Sequence, residues 1–241
     1  MKPVLILQHM QHDGPAYLAR WLSERHIAFD LCDASMGDAF PADMSGHAAL
    51  AVLGGAMSAN DPLPHLRQAE HLILLSMQQQ LPVIGHCLGG QLMARALGAR
   101  VSTSPAPEIG WQSMEVLDDP HAQDWFGPPG PTHVMHWHYE AFDLPAGARL
   151  LARSAGCPHQ AFSVGPHLAM QFHIEIDEPK LQCWLDQGDP SWHDALAQHR
   201  LTVQDKASIL AQASSRMQAH QQLADRVYGR WWAHVQRNSV L

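Results

Sequence analysis

Apolar and polar positions follow two rhythms along the first hundred residues. PVLILQ (3–8) is a short apolar run of the kind a buried strand shows, and residues 15–25 follow with helical spacing at Tyr17, Leu18, Trp21 and Leu22. IAFDLCD (27–33) alternates as a strand, and AALAVLGG (48–55) reads as a buried strand ending in glycines. Residues 65–80 carry Leu66, Ala69, Leu72, Ile73 and Met77 on one helical stripe. LPVIGH (81–86) is again strand-like and leads into a helix from Gly89 to Leu97. Buried strands alternating with helices predict an α/β fold, a mostly parallel central sheet with helices on both faces. Folds of that kind bind ligands at the carboxyl ends of their strands. Gly54-Gly55 and Cys87 both fall at such ends.

From Arg100 to His173 the rhythm shortens, and strands are expected at 110–117, 132–138, 149–154, 159–164 and 167–173. Pro and Gly punctuate them, notably GPPGP at 127–131. The last third reads as helical. Thr202 with Asp205 three residues on suggests a capping box. Beyond it Ile209, Ala213, Met217, His220, Ala224, Val227, Trp231 and Val235 hold one helical stripe, widened by Tyr228 and Trp232. That stripe is expected either to dock on the body of the chain or to meet a partner, because an end with two tryptophans rarely stays in water. No internal repeat stands out, so one α/β domain over 1–185 with a helical C-terminal extension over 186–241 is predicted.

Composition narrows the function classes. Of 241 residues 46% are hydrophobic and 16% charged, which suits a globular chain. The net charge of −8 and the lack of a basic cluster argue against nucleic acid and anionic membranes as partners. The apolar start is too short for a secretion signal, and no run approaches the ~20 residues of a membrane span. A cytoplasmic location is therefore expected, with Cys32, Cys87, Cys157 and Cys183 as free thiols. No two of them form a C-x-x-C pair. The 18 histidines invite a metal reading, and HVMHWH holds the densest group, His133, His136 and His138. Strand alternation would put 136 and 138 on one face, but no acidic or cysteine partner sits at a familiar ligand spacing, and no metal is expected.

Chemistry concentrates at PVIGHCLGGQLMARALGA (82–99). In strand–turn–helix context G-x-C-x-G is the thiol counterpart of the nucleophile elbow, a sharp turn that lifts one side chain clear of the sheet. Gly85 and Gly89 let the backbones approach, and the following helix directs its N-terminal dipole toward the Cys87 sulfur. The Leu88 N–H would point where an oxyanion forms, and the glycine-rich LGGAMSAND (53–61) could supply a second donor from Gly55. A structural cysteine beside packing glycines is the other reading of this fragment taken alone. AMQFHIEID (169–177) reads as a strand with His173 and Glu175 on one face, so that the carboxylate could hold the imidazole while its other nitrogen serves a nucleophile.

With these residues in that order, the chain resembles the class I glutamine amidotransferases. GHCLGGQ is similar to their G-x-C-x-G-x-Q motif and QFHIE to their Q-F-H-x-E strand. GGAMSAND, EIGW (108–111) and MHWHYEAFDLP (135–145) resemble the branch that includes the amidotransferase domain of GMP synthase. The resemblance runs from about residue 3 to 185 and implies a flavodoxin-like sheet and a Cys-His-Glu triad, carried onto Cys87, His173 and Glu175. It further implies Gly55 and Leu88 as oxyanion donors. Gln91, with the backbone near Trp137, His138 and Tyr139, is implied in holding substrate. Three positions depart from the pattern: His86 before the cysteine, Ile174 between His and Glu, and Tyr139-Glu140 where Gly-Asp is frequent.

The implied reaction is hydrolysis of the glutamine side-chain amide, with ammonia passed to an acceptor. The chain has no P-loop and no other nucleotide-binding glycine motif, so no cofactor is expected. A separate synthase subunit would then take the ammonia. The alternatives are a γ-glutamyl hydrolase or peptidase with water as acceptor, and a binding or regulatory subunit without activity. The small-molecule partner is L-glutamine or a γ-glutamyl compound, and the oligomeric state stays open.

Overall fold

The apolar runs of the first hundred residues fold into β1 (Val4–Gln8), α1 (Ala16–Glu24), β2 (Phe29–Asp33), β3 (Ala49–Val52), α2 (Pro64–Gln78), β4 (Val83–His86) and α3 (Leu88–Ala96). Strands and helices alternate except between β2 and β3, where only a short 3-10 turn at Ala34–Met36 intervenes. The computed structural model describes residues 1–238. Every residue of β1, β3 and β4 is buried, which is why these strands are apolar throughout instead of alternating. β2 lies at the sheet edge and does alternate in part.

The second half supplies β5 (Val101–Val116), α4 (Pro120–Phe126), β6 (Gly130–Phe142), β7 (Arg149–Arg153), β8 (Ala161–Val164) and β9 (His167–Met170). All nine strands form one sheet, in the order β2-β1-β3-β4-β9-β8-β7-β5-β6. The strands from β2 to β9 pair in parallel, and those from β9 to β6 pair antiparallel. The predicted parallel layer is thus continued by an antiparallel one, through β9, whose neighbours are β4 and β8.

Three expectations need correction here. β5 begins at Val101, not at 110, because VSTSPAPE pairs with β6 despite its polar and proline-rich look. The register shifts between Thr103 and Glu108, so Pro105 and Pro107 sit where missing N–H groups cost the ladder least. β9 ends at Met170, so His173 and Glu175 lie beyond the strand and not on it. Their segment is held instead by bonds from Gln171 N–H to the Gln160 carbonyl, His173 N–H to that of Met135, and Tyr17 N–H to that of Glu175. α4, capped by Asp119, is an element the strand rhythm did not suggest.

The chain closes with α5 (Glu178–Gln187), α6 (Pro190–Gln198) and α7 (Lys206–Asn238). Asp205, not Thr202, caps α7: its carboxylate accepts from Ser208 N–H at 2.7 Å, while Thr202 turns back to the His199 carbonyl. The α7 stripe packs into the main core on one face of the sheet, where Val227, Tyr228 and Trp231 are wholly buried with Trp21 and Trp125. Trp231 therefore serves the chain's own interior, and burying side chains of this size stabilises by about 1.5–3 kcal/mol each. Among the described residues no helix is long and apolar enough to cross a membrane.

Candidate active site

Cys87 occupies the single residue between β4 and α3, at φ 47° and ψ −105°, a backbone conformation that side-chain-bearing residues rarely adopt. The turn is locked from both sides. Cys87 N–H donates to the Met170 carbonyl of β9, and Gln91 N–H to the Cys87 carbonyl, which starts the helix. A Cβ on Gly89 would stand 2.1 Å from the Val52 carbonyl oxygen and one on Gly85 2.6 Å from Gly89, so only glycine permits this approach of α3 to the sheet. The Cys87 thiol faces the Trp137 carbonyl at 3.8 Å and takes a donor from the buried Gln171 side chain at 3.5 Å.

His173 and Glu175 come together as expected, though by a different route. Glu175 Oε1 lies 2.7 Å from His173 Nδ1, and both side chains are almost completely buried. Nδ1 is thereby committed, and the other ring nitrogen, Nε2, has no nitrogen or oxygen partner. The Cys87 thiol interacts with that ring. Burial alone would push His173 down, but the Glu175 carboxylate and the Cys87 sulfur overrule it and carry it up to about 10. Burial would likewise raise Glu175, and Lys180 and His173 instead hold it well below the usual carboxylate range.

These groups open on a cavity of about 570 Å³, lined among others by Gly55, Cys87, Gln91, Trp137 and His173. Gly55 stands directly before the N-terminus of α3: a Cβ there would lie 2.9 Å from Leu88 Cδ2. Leu88 itself is buried behind the cysteine. Gln91 is buried too, its amide donating to the Glu140 carbonyl at 3.1 Å. Tyr139 lines the mouth, with its hydroxyl 2.5 Å from Asp189 at the N-terminus of α6. His138 is pinned at both nitrogens, by Glu108 Oε2 at 3.2 Å and the Glu140 carbonyl at 3.2 Å. The acidic partner that spacing did not reveal for the histidine group is thus Glu108, thirty residues upstream on the paired strand.

Several neighbours of the site were not singled out from the sequence. Lys180 Nζ lies 3.0 Å from Glu175 Oε1 and 2.5 Å from Asp13 Oδ1. Trp184 packs edge-on over His173, with ring centres 4.7 Å apart. From α7, His220 donates through Nε2 to the His173 carbonyl at 2.9 Å, and burial pushes His220 down to about 4. The departure at His86 also has its explanation in α7, since His86 Nε2 lies 3.1 Å from the Tyr228 hydroxyl in a fully buried pair. The remaining cysteines, Cys32, Cys157 and Cys183, are free and stand apart from Cys87, and burial pushes the Cys157 thiol up to about 12.

Comparison with known proteins gives a consistent result. The model of the family described as "Glutamine amidotransferase class-I" matches residues 23–180. The chain is 29% identical to the glutamine amidotransferase-like protein YfeJ of Salmonella typhimurium, across 95% of each. It is 37% identical over 100 residues to a glutamine-hydrolyzing GMP synthase subunit of Thermococcus kodakarensis, covering 40% of this chain and 52% of that one. A solved structure of a glutamine amidotransferase from Methylobacillus flagellatus superposes with a TM-score of 0.90 at 34% identity, over 97% of this chain and 95% of that one.

Proposed function

Since the chain belongs to the class I glutamine amidotransferase family, we propose that it cleaves a γ-glutamyl amide through a Cys87 thioester, in the manner of a glutaminase half-reaction. The observation that carries this reading is the Glu175–His173 pair with Nε2 left open toward the Cys87 thiol at a strained strand–helix turn. In the first step the Cys87 thiolate adds to the side-chain carbonyl carbon, and the Gly55 and Leu88 N–H groups receive the oxyanion. His173 then gives its proton to the amide nitrogen, the C–N bond breaks, and ammonia or an amine departs. Neutral His173 next takes a proton from water. The resulting hydroxide attacks the thioester, the C–S bond breaks, and glutamate leaves with the thiolate restored. Gln91 and the backbone from Trp137 to Tyr139 are the proposed contacts for the glutamate end of the substrate.

The ammonia acceptor divides the reading in two. A synthase subunit that consumes the ammonia is the first version, in keeping with the name of the Thermococcus relative, a GMP synthase subunit. The cavity favours weighing the second, a γ-glutamyl hydrolase acting alone. Its volume of about 570 Å³ lies in the range that holds drug-sized ligands, well beyond what the ten heavy atoms of glutamine fill.

The test is release of ammonia or amine from L-glutamine and a panel of γ-glutamyl amides, with Cys87→Ala as control. Release that requires Cys87 is the expected result, and the preferred panel member decides between the two versions. Undiminished release by the alanine variant overturns the thiol mechanism.

A further inference from the structure

Glu175 is an unusual carboxylate. It is wholly buried, its Oε1 accepts both His173 Nδ1 and Lys180 Nζ, and its Oε2 has no partner. Removing a carboxylate from water without paired donors is costly, and such a group ordinarily takes up a proton instead. Its surroundings offer little other support. His86 of β4 and His220 of α7 face it, but burial pushes both down to about 4. Tyr228 of α7 is a buried phenol on the same side. The cation is Lys180 on α5, itself buried, which also bonds the Gly14 carbonyl at 2.9 Å and Asp13 at 2.5 Å. Asp13 lines the substrate cavity. The ammonium also lies 5.0 Å from the centre of the Trp184 ring that covers His173. Asp13, His173 and Glu175 bring ligand-type atoms within 4.8 Å of one another, and the cation that serves this group is the chain's own lysine.

We propose that Lys180 is a positioning residue for the triad: it fixes the Glu175 carboxylate against His173 and ties it, through Asp13 and Gly14, to the loop that lines the cavity. The proposal rests on the reading of Cys87, His173 and Glu175 as that triad. Lys180 does not line the cavity and acts through Glu175. Without it, Glu175 protonates at higher pH, the imidazolium loses its counter-charge, and the thiolate–imidazolium pair gives way to the neutral pair. An opposite charge at this distance moves a carboxyl group by about 1–3 pH units.

The experiment follows alkylation of Cys87 by iodoacetamide against pH in the full-length protein, by peptide mass, and so needs no substrate. It compares the unsubstituted chain with Lys180→Met and with the Asp13→Asn/Lys180→Met pair, which removes one charge of each sign. The expected result is an acid limb moved up by about one pH unit or more in both, with the melting transition still cooperative. An unmoved limb in a folded variant, or failure of both variants to fold, assigns Lys180 to architecture alone and overturns the proposal. Should Cys87 in the unsubstituted chain react no faster near neutral pH than the other cysteines, the triad reading itself fails, which distinguishes the two.

Discussion

Two buried histidine–carboxylate pairs each put their histidine on the wall of the Cys87 cavity, and they differ in what the second ring nitrogen does. In His138–Glu108 it is spent on the Glu140 carbonyl, and Glu108 is saturated by His138, Ser154 and Gln160. In His173–Glu175 it is left open beside the thiol, and half of the carboxylate is unpaired. The first pair is closed across two strands and can only hold β5 to β6. The second is incomplete as a structural element, and that incompleteness is what a proton-transfer group needs. Identity of residue type therefore says little here, and hydrogen-bond saturation says much.

The sharpest way to break this contrast is to disable each histidine in turn. His173→Asn is expected to lower turnover by about 10²–10⁴-fold, the usual share of a general acid–base group, and, by removing the ion pair to Glu175, to lower the melting temperature as well. His138→Asn should spare turnover and lower stability alone. It takes one of three donors from the buried Glu108, a loss of about 1–3 kcal/mol, while turnover of the folded fraction stays within about tenfold. Thermal melts and steady-state rates on both variants check this, and equal effects on activity would dissolve the distinction.

The pH dependence sharpens it further. His173 is raised to about 10 from an unfolded value near 6.5, so its ion pair contributes stability fully below about pH 6.5, and that contribution fades as pH rises through about 10. Glu175 is depressed, so its contribution is present above the ordinary carboxylate range and is lost only as pH falls through its lower folded value. Turnover should accordingly hold a plateau from mildly acidic pH to an alkaline limb toward about 10 in kcat/KM. A limb centred near about 6.5, the ordinary histidine value, contradicts the assignment.

The smallest expected effect concerns the contact behind the site. Tyr228→Phe removes the hydroxyl that His86 meets and should cost about 1 kcal/mol of stability with turnover unchanged. Denaturant melts read the first, and the same rate assay the second.

What could be read from the chain and what could not divides along similar lines. The Cys87 turn was legible because glycines at fixed offsets and an apolar strand before them encode a local geometry. The His173–Glu175 pair was legible because its members are two residues apart, even though the strand expected to carry them stops at Met170. Asp13 and Lys180 had no such signal, and Glu108 and His220 were visible only as members of EIGW and of the helical stripe. Each reaches the site through tertiary closure, as with Lys180 and Gly14 at a separation of 166 residues, and nothing local marks a lysine at the start of α5 as a buried one. The first half of β5, before the predicted strand at 110–117, went unread for the reverse reason, since its local chemistry argues against a strand and pairing with β6 overrides it. The α7 stripe was visible as an apolar face, while the choice between partner and own core depended on the sheet surface it covers.

The central claim is a covalent one, and intact-protein mass measurement after acid quench tests it most directly. Protein mixed with its preferred γ-glutamyl substrate and quenched within the first turnovers should gain one glutamyl group, mapped to Cys87 and absent in Cys87→Ala. Turnover of that substrate with no adduct on Cys87, or with the adduct on another residue, would contradict the account.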